Sequence, residues 1–148
     1  MLYPVITIRQ PWAALIVSGI KDVENRNWRL PDKYRNCTVL VHASAKPRFS
    51  NANADRELLA RGHKNLASAF PRLFHDINMT GHIIGAVWFK GCDLAGLNPT
   101  STWCDIESTF WWMIEKGMPI HPIPAKGKLR FWEFNYPHSI VWPQEARK

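Results

Sequence analysis

The pattern that most constrains this chain is a series of short apolar runs rich in β-branched residues, each ended by polar or turn residues. Such runs are typical of β-strands, because branched side chains pack well on a pleated sheet. They predict strands at residues 5–8, 38–43, 81–90, 110–114 and 129–134. Residues 118–124 hold three prolines and therefore predict a sheet edge or a connector rather than a central strand. Residues 94–105 predict a long loop.

Helical patterns occur in only two parts of the sequence. Residues 12–17 predict a helix with Pro11 in its first turn, where the missing N–H costs nothing, and with Gly19 as its C-terminal cap. A second helical region is predicted at residues 51–75, in which Pro71 begins a third short helix.

The order of these elements indicates the fold class. Strands and helices do not alternate regularly, which disfavours a doubly wound parallel sheet. We predict one α+β domain over residues 1–148, built as a mixed β-barrel of about five or six strands with inserted helices. The strand at residues 129–134 is expected to close this barrel.

Composition excludes several classes of protein. A hydrophobic fraction of 46% with 21% charged residues excludes intrinsic disorder, and no apolar run approaches the ~20 residues of a membrane-spanning helix. The first residues do not resemble a signal peptide. The 3 cysteines form no CxxC and no zinc-ligand spacing, so we predict reduced thiols in a cytoplasmic protein, with no metal and no cofactor.

Charge points to the kind of partner. The formal net charge is +7 and the isoelectric point is near 9.6, which favours an anionic partner such as nucleic acid. The alternative is a small basic protein that binds no RNA, because many such proteins do not. The sequence does not indicate an oligomeric state.

The most informative segment is the polar stretch that follows Gly19. It places Lys21, Glu24 and Arg26 within six residues, and in an extended chain Glu24 and Arg26 share one face. An apolar core gains nothing from such a face, whereas a cleft for a polar or anionic ligand does. The alternative is a solvated ion pair of little energetic value.

These residues carry a resemblance to a known family. The pattern Gly19-x-Lys21-x-x-Glu24-x-Arg26 matches the GxKxxExR signature of the ASCH domain, a PUA-like barrel. Residues 6–13, 24–28, 40–44, 84–87 and 124–132 also resemble the small bacterial and phage members of that family. The resemblance covers nearly the whole chain except about residues 50–80.

The resemblance implies a PUA-like β-barrel with a cleft across its mouth, lined by the Lys, Glu and Arg of the signature. Related PUA-like domains bind RNA, and some hold a modified base in an aromatic pocket. Two activities are described for ASCH proteins: cleavage of RNA and amide hydrolysis of an acetylated cytidine nucleoside. The hydrolase branch uses a Thr nucleophile where this chain has Glu24, and a carboxylate cannot perform the same acyl transfer.

On this basis we assign candidate roles to individual residues. The candidate catalytic residues are Lys21, Glu24 and His42, which could perform acid–base chemistry on a 2′-hydroxyl. The candidate ligand- or RNA-binding residues are Arg9, Trp12, Arg26, Trp28, Ser44, Lys46 and Trp112. The alternatives are a Glu24–Arg26 network that only fixes the barrel and a His42 that is satisfied within the core.

Aromatic and basic residues outside the signature complete the prediction. Trp111 and Trp112 alternate in a strand, so only one of them is expected in the core, and Trp88 and Trp132 are expected to be core residues. A basic rim is predicted from Arg29, Lys33, Arg35, Lys46, Arg48, Lys126 and Lys128.

The leading hypothesis is an RNA- or nucleotide-binding domain, with single-stranded RNA as the polymer and metal-independent ribonuclease activity as a first extension. The alternatives are an amidohydrolase of an N4-acetylated cytidine nucleoside and a non-catalytic adaptor.

Overall fold

The computed structural model of the chain describes residues 1–46 and 78–144. Its elements are β1 (Leu2–Ile8), α1 (Trp12–Val17), β2 (Val23–Arg26), a 3-10 turn (Asp32–Tyr34), β3 (Thr38–Ala43), β4 (His82–Leu94), β5 (Phe110–Pro124) and β6 (Phe131–Asn135). The helices predicted at residues 51–75 lie outside the described residues.

The strands form one mixed sheet of six strands in the order β2-β5-β4-β3-β1-β6. The pair β1–β3 is parallel, and the other neighbouring pairs are antiparallel. The sheet curls into a half-barrel with few helices, which confirms the predicted α+β fold with a mixed sheet of about six strands. The predicted closure by the last strand is wrong for the described residues, because β6 pairs with β1 while β2 and β6 remain the two edges.

Helix α1 lies directly against the backbone of the sheet because two glycines leave room for it. A Cβ atom at Gly117 would lie 2.2 Å from the carbonyl oxygen of Ile16, and one at Gly85 would lie 2.4 Å from a methyl carbon of Val17. A side chain at either position would push the helix off the sheet.

The end of α1 sets the direction of the following strand. Gly19 has a φ of +81°, and two backbone bonds, from Gly19 N–H to Ile16 and from Ile20 N–H to Leu15, form a Schellman motif. Ser18 is the C-cap residue, and Gly19 follows it directly. The glycine therefore ends the helix, as the sequence predicts, although one position beyond the C-cap itself. The reversal sends residues 21–26 back along β5.

The prolines of β5 lie where the strand has one neighbour. β2 pairs only with residues 110–113, and beyond them β5 pairs with β4 up to Pro124. The expectation of an edge in this region was therefore correct, although the segment continues the strand rather than leaving the sheet.

Both faces of the sheet are covered, which changes the placement of the tryptophans. Trp112 is buried in one core cluster, and Trp111 is buried in a second cluster with Leu15 and Trp103. The expectation that only one of the pair is in the core is wrong, because residues of α1 and of the loop before β5 also pack against Trp111. Trp88 and Trp132 are only partly buried, so the expectation of a core position is wrong for Trp88, whereas Trp132 packs against a third core cluster.

Candidate functional site

A cavity of about 390 Å³ lies at the open side of the half-barrel. The end of β1 contributes Thr7, Ile8 and Arg9, the start of α1 contributes Trp12, and β2 contributes Glu24, Asn25 and Arg26. The other lining residues are Ser44, Lys128, Leu129 and Arg130. The volume falls within the range of ~300–1,000 Å³ that is typical of small-molecule sites.

Arg26 bridges the open side of the sheet. Its Nη2 donates to the carbonyl oxygen of Thr7 over 3.0 Å, and its guanidinium carbon lies 5.5 Å from the centre of the Trp112 ring. This Thr7 carbonyl lies one residue beyond the last β1–β6 pair, Ile6 with Phe131. The arginine therefore links β2 to β1 where no strand pairing joins them.

Glu24 lies beside Arg26 but is not hydrogen-bonded to it. Its side chain is 7% exposed, and Oε2 lies 3.7 Å from Nη2 of Arg26. Within the described part of the chain, Oε2 is buried without a hydrogen-bond partner. The predicted sharing of one face is seen in this pair, whereas Asn25 on the other face bonds the backbone of Trp103 and Asp105.

Lys21 lies behind the cavity rather than in its lining. It is 3% exposed, its ammonium donates to the carbonyl oxygen of Val23, and it lies 5.6 Å from the centre of the Trp12 ring. Trp12 itself is half-buried, lines the cavity, and meets Trp103 edge-to-face. Lys21 is thus placed to support the tryptophan and the turn into β2.

Basic side chains ring the cavity on the side of the 128–130 segment. Arg9, Lys128 and Arg130 are all exposed, and the guanidinium of Arg130 lies 5.0 Å from the centre of the Trp28 ring. Leu129, between the two, is 93% exposed. Sequence reasoning named Arg9 and Lys128 but missed Arg130 and Leu129, although two basic residues alternating just before a strand were a readable signal.

His42 is buried beneath the segment that carries this rim. Its Nε2 donates to the carbonyl oxygen of Ala125 over 2.6 Å, and Nδ1 has no hydrogen-bond partner among residues 1–46 and 78–144. A Cβ at Gly127 would lie 2.8 Å from the imidazole, so the chain passes directly over the ring. Burial lowers the pKa of His42, and the charge of His82 lowers it further, whereas the bond to Ala125 acts in the opposite direction.

The residues predicted with His42 are placed differently from it. Ser44 lines the cavity and accepts a bond from the backbone N–H of Lys46, which is exposed outside the lining. His42 is 1% exposed and supports the rim from below. The structure thus separates Ser44 from the histidine with which it was predicted to act.

Trp28 and Trp112 form an aromatic support for the site. Trp112 is fully buried and donates from its ring nitrogen to the carbonyl oxygen of Trp28. It also stacks on Phe131, with ring centres 5.7 Å apart. Trp28 is half-buried and lies outside the lining, beneath Arg130. These two rings hold the arginines in place rather than line the cavity.

Most residues of the predicted basic rim do not line the cavity. Arg29 lies over the Phe110 ring, Lys33 lies over Tyr34, and Arg35 pairs with Asp32. None of these three belongs to the lining among the described residues. Lys126 is exposed outside the lining, and Arg48 lies outside the described residues.

The described residues hold neither a cluster of metal ligands nor a helix that could cross a membrane. Across residues 1–46 and 78–144, no three His, Cys, Asp or Glu side chains come together as metal ligands. In the same ranges, no helix has the length and apolar character needed to cross a membrane.

The curled six-stranded sheet, with its cavity at the open side, defines an α+β half-barrel domain. The chain belongs to the ASCH domain family, a family of PUA-like fold, whose model matches residues 6–122. Similar solved structures include an ASCH protein from Zymomonas mobilis, 18% identical with a TM-score of 0.45, over 82% of this chain and 73% of that one. A point mutant of that protein is 18% identical with a TM-score of 0.44, over 82% and 75% of the two chains.

Proposed function

We propose that the cavity at the open side of the sheet binds a ribonucleotide, with single-stranded RNA as the polymer that supplies it. The observation that carries the proposal is the convergence of Glu24 and Arg26 of the family signature with a basic rim around one cavity. ASCH domains have a proposed RNA-binding role, which supports this proposal.

The chemistry of the lining suits a nucleotide better than a simple anion. Arg9, Lys128 and Arg130 are exposed at the rim, where phosphates of a polymer can reach them. Trp12 offers a half-exposed ring for base stacking, which contributes ~1–3 kcal/mol per base. A base can enter the cavity only when it is unpaired, which favours single strands and loops.

Salt-dependent binding tests this proposal. We expect labelled single-stranded RNA to bind more weakly as the salt concentration rises. The double variant Lys128→Ala with Arg130→Ala should bind with a shallower salt dependence. The slope of the logarithm of the binding constant against the logarithm of the salt concentration should fall in magnitude by about 0.7 per lost phosphate contact. The matched control is Lys90→Ala with Lys116→Ala, which removes the same charge at exposed positions outside the lining. Equal weakening by both pairs, or no RNA binding by the wild type, would contradict the proposal.

A ribonuclease activity is a second candidate, supported by the unpartnered oxygen of Glu24. This carboxylate could accept the proton of a 2′-hydroxyl as that oxygen attacks the neighbouring phosphorus. The attack forms a 2′,3′-cyclic phosphate and breaks the bond from phosphorus to the 5′-oxygen of the next nucleotide, which leaves with a proton taken from water. Labelled RNA incubated with the protein in EDTA tests this. Cleavage that is lost in Glu24→Gln supports the mechanism, whereas intact RNA or cleavage that survives the substitution contradicts it.

Two further functions remain as outcomes of assays. Turnover of N4-acetylcytidine would assign the amidohydrolase activity despite Glu24 at the position of the threonine. Capture of a protein partner without any RNA affinity would favour an adaptor.

A further inference from the structure

The basic rim does not explain the presence of Glu24 in the lining. Its side chain is 7% exposed, and Oε2 has no hydrogen-bond partner among the described residues. Arg26, 3.7 Å away, directs the same Nη2 to the carbonyl oxygen of Thr7. A buried carboxylate oxygen without a donor is costly, so a ligand that donates to Oε2 gains affinity there.

Phosphate cannot supply those donors, because phosphate oxygens accept hydrogen bonds and repel a carboxylate. A carboxylate presents two acceptor oxygens side by side, and its best partner presents two parallel N–H donors. Guanine offers such a pair, N1–H and the 2-amino group, on its Watson–Crick edge. Adenine and cytosine place one amino donor beside a ring-nitrogen acceptor, and uracil places one N–H between two carbonyl oxygens.

We propose that Glu24 reads the Watson–Crick edge of an unpaired guanine, an inference that rests on the nucleotide-binding function proposed above. The base enters the cavity beside Trp12, its N1–H and 2-amino group donate to the two oxygens of Glu24, and its phosphate remains at the rim. Recognition through this edge excludes a base-paired guanine, which agrees with a single-stranded polymer. A guanidinium side chain also carries two parallel donors, but the lining has four basic side chains that repel it: Arg9, Arg26, Lys128 and Arg130.

Titration of wild-type protein with mononucleotides, followed by calorimetry, tests the proposal. We expect GMP to bind about tenfold or more tightly than AMP, CMP or UMP, the discrimination of one good bidentate contact. Inosine monophosphate keeps N1–H but lacks the 2-amino group, and it should bind with intermediate affinity. 7-Deaza-GMP keeps both donors and should bind like GMP.

Glu24→Gln is the matching variant, since an amide replaces one acceptor with a donor at nearly the same volume. We expect it to bind GMP no better than AMP, while Glu115→Gln, the same change at an exposed position on β5, keeps the preference. The inosine comparison uses the wild-type protein and does not depend on the folding of a variant.

The outcomes separate this inference from the function on which it rests. Equal binding of the four nucleotides, with RNA binding still sensitive to Lys128 and Arg130, contradicts guanine recognition and leaves the nucleotide-binding function standing. Failure of every nucleotide and of RNA to bind contradicts both. Tighter binding of N-acetylarginine amide than of GMP also overturns the inference.

Discussion

Replacing Arg26 with Met removes the side chain that joins β2 to β1 across the open side of the sheet. Met keeps an unbranched apolar stem but no charge and no donors. The substitution therefore removes the 3.0 Å bond to the carbonyl oxygen of Thr7, the contact 5.5 Å from the centre of the Trp112 ring, and the 3.7 Å pairing with Glu24.

The magnitude follows from these three contacts. A hydrogen bond from a charged donor contributes ~1.5–3 kcal/mol, and a cation–π contact contributes ~0.5–2 kcal/mol according to its desolvation. The Arg26 side chain is 24% exposed, so the ion pair adds at most ~1 kcal/mol. Because these terms are not additive, we expect a loss of about 2–4 kcal/mol in the free energy of unfolding, which is roughly 5–12 °C in Tm.

Urea unfolding followed by tryptophan fluorescence measures this loss. The control is Arg29→Met, which removes an exposed arginine that lies over the Phe110 ring, and we expect it to cost at most ~0.5 kcal/mol. In a double-mutant cycle, Glu24→Gln should recover part of the loss, because it removes the carboxylate that Arg26→Met leaves without its cation. A loss below ~0.5 kcal/mol for Arg26→Met, equal to that of the control, would refute the bridging role of this residue.

Three further predictions concern stability. Gly117→Ala places a Cβ 2.2 Å from the carbonyl oxygen of Ile16 and should lower the free energy of unfolding by ~1–3 kcal/mol in urea. Burial lowers the pKa of His42, so the unfolded chain takes up a proton more readily. Tm should therefore fall as pH drops below ~6.5. His42→Gln should reduce this fall, whereas the control His121→Gln, at an exposed position, should not. An unchanged pH profile of Tm in His42→Gln would contradict the assignment of the fall to His42. Leu129→Ala should shift the free energy of unfolding by less than ~0.5 kcal/mol, since Leu129 is 93% exposed, and a larger loss would show that the 128–130 segment is packed.

Apart from the polar β2, the described strands were predictable because each presents a local apolar pattern. The shared face of Glu24 and Arg26 was also predictable, because it depends only on alternation within β2. The bond from Arg26 to Thr7 was not predictable, because three strands separate β2 from β1 in the sheet and only the curl of the sheet brings the two together. Arg130 was missed for a related reason: its place at the cavity follows from the pairing of β6 with β1.

The prediction for His42 and Ser44 shows the limit of alternation. A register irregularity lies between Val41 and His42, and β3 ends at Ala43, so Ser44 lies beyond the strand.

The tryptophan pair shows a second limit. Alternation placed Trp111 and Trp112 on opposite faces, but burial of both faces depends on Trp103 in the loop before β5 and on Leu15 of α1, which the local pattern does not report.

The central claim is that the cavity between β2 and the 128–130 segment is the RNA-binding site. NMR chemical-shift mapping of the labelled protein, titrated with a short guanine-containing single-stranded RNA, tests it most directly. We expect the largest shifts at residues 8–12, 24–26 and 128–130. Shifts concentrated around Trp88, Lys116 and Trp142, whose side chains cluster outside the lining, would contradict it.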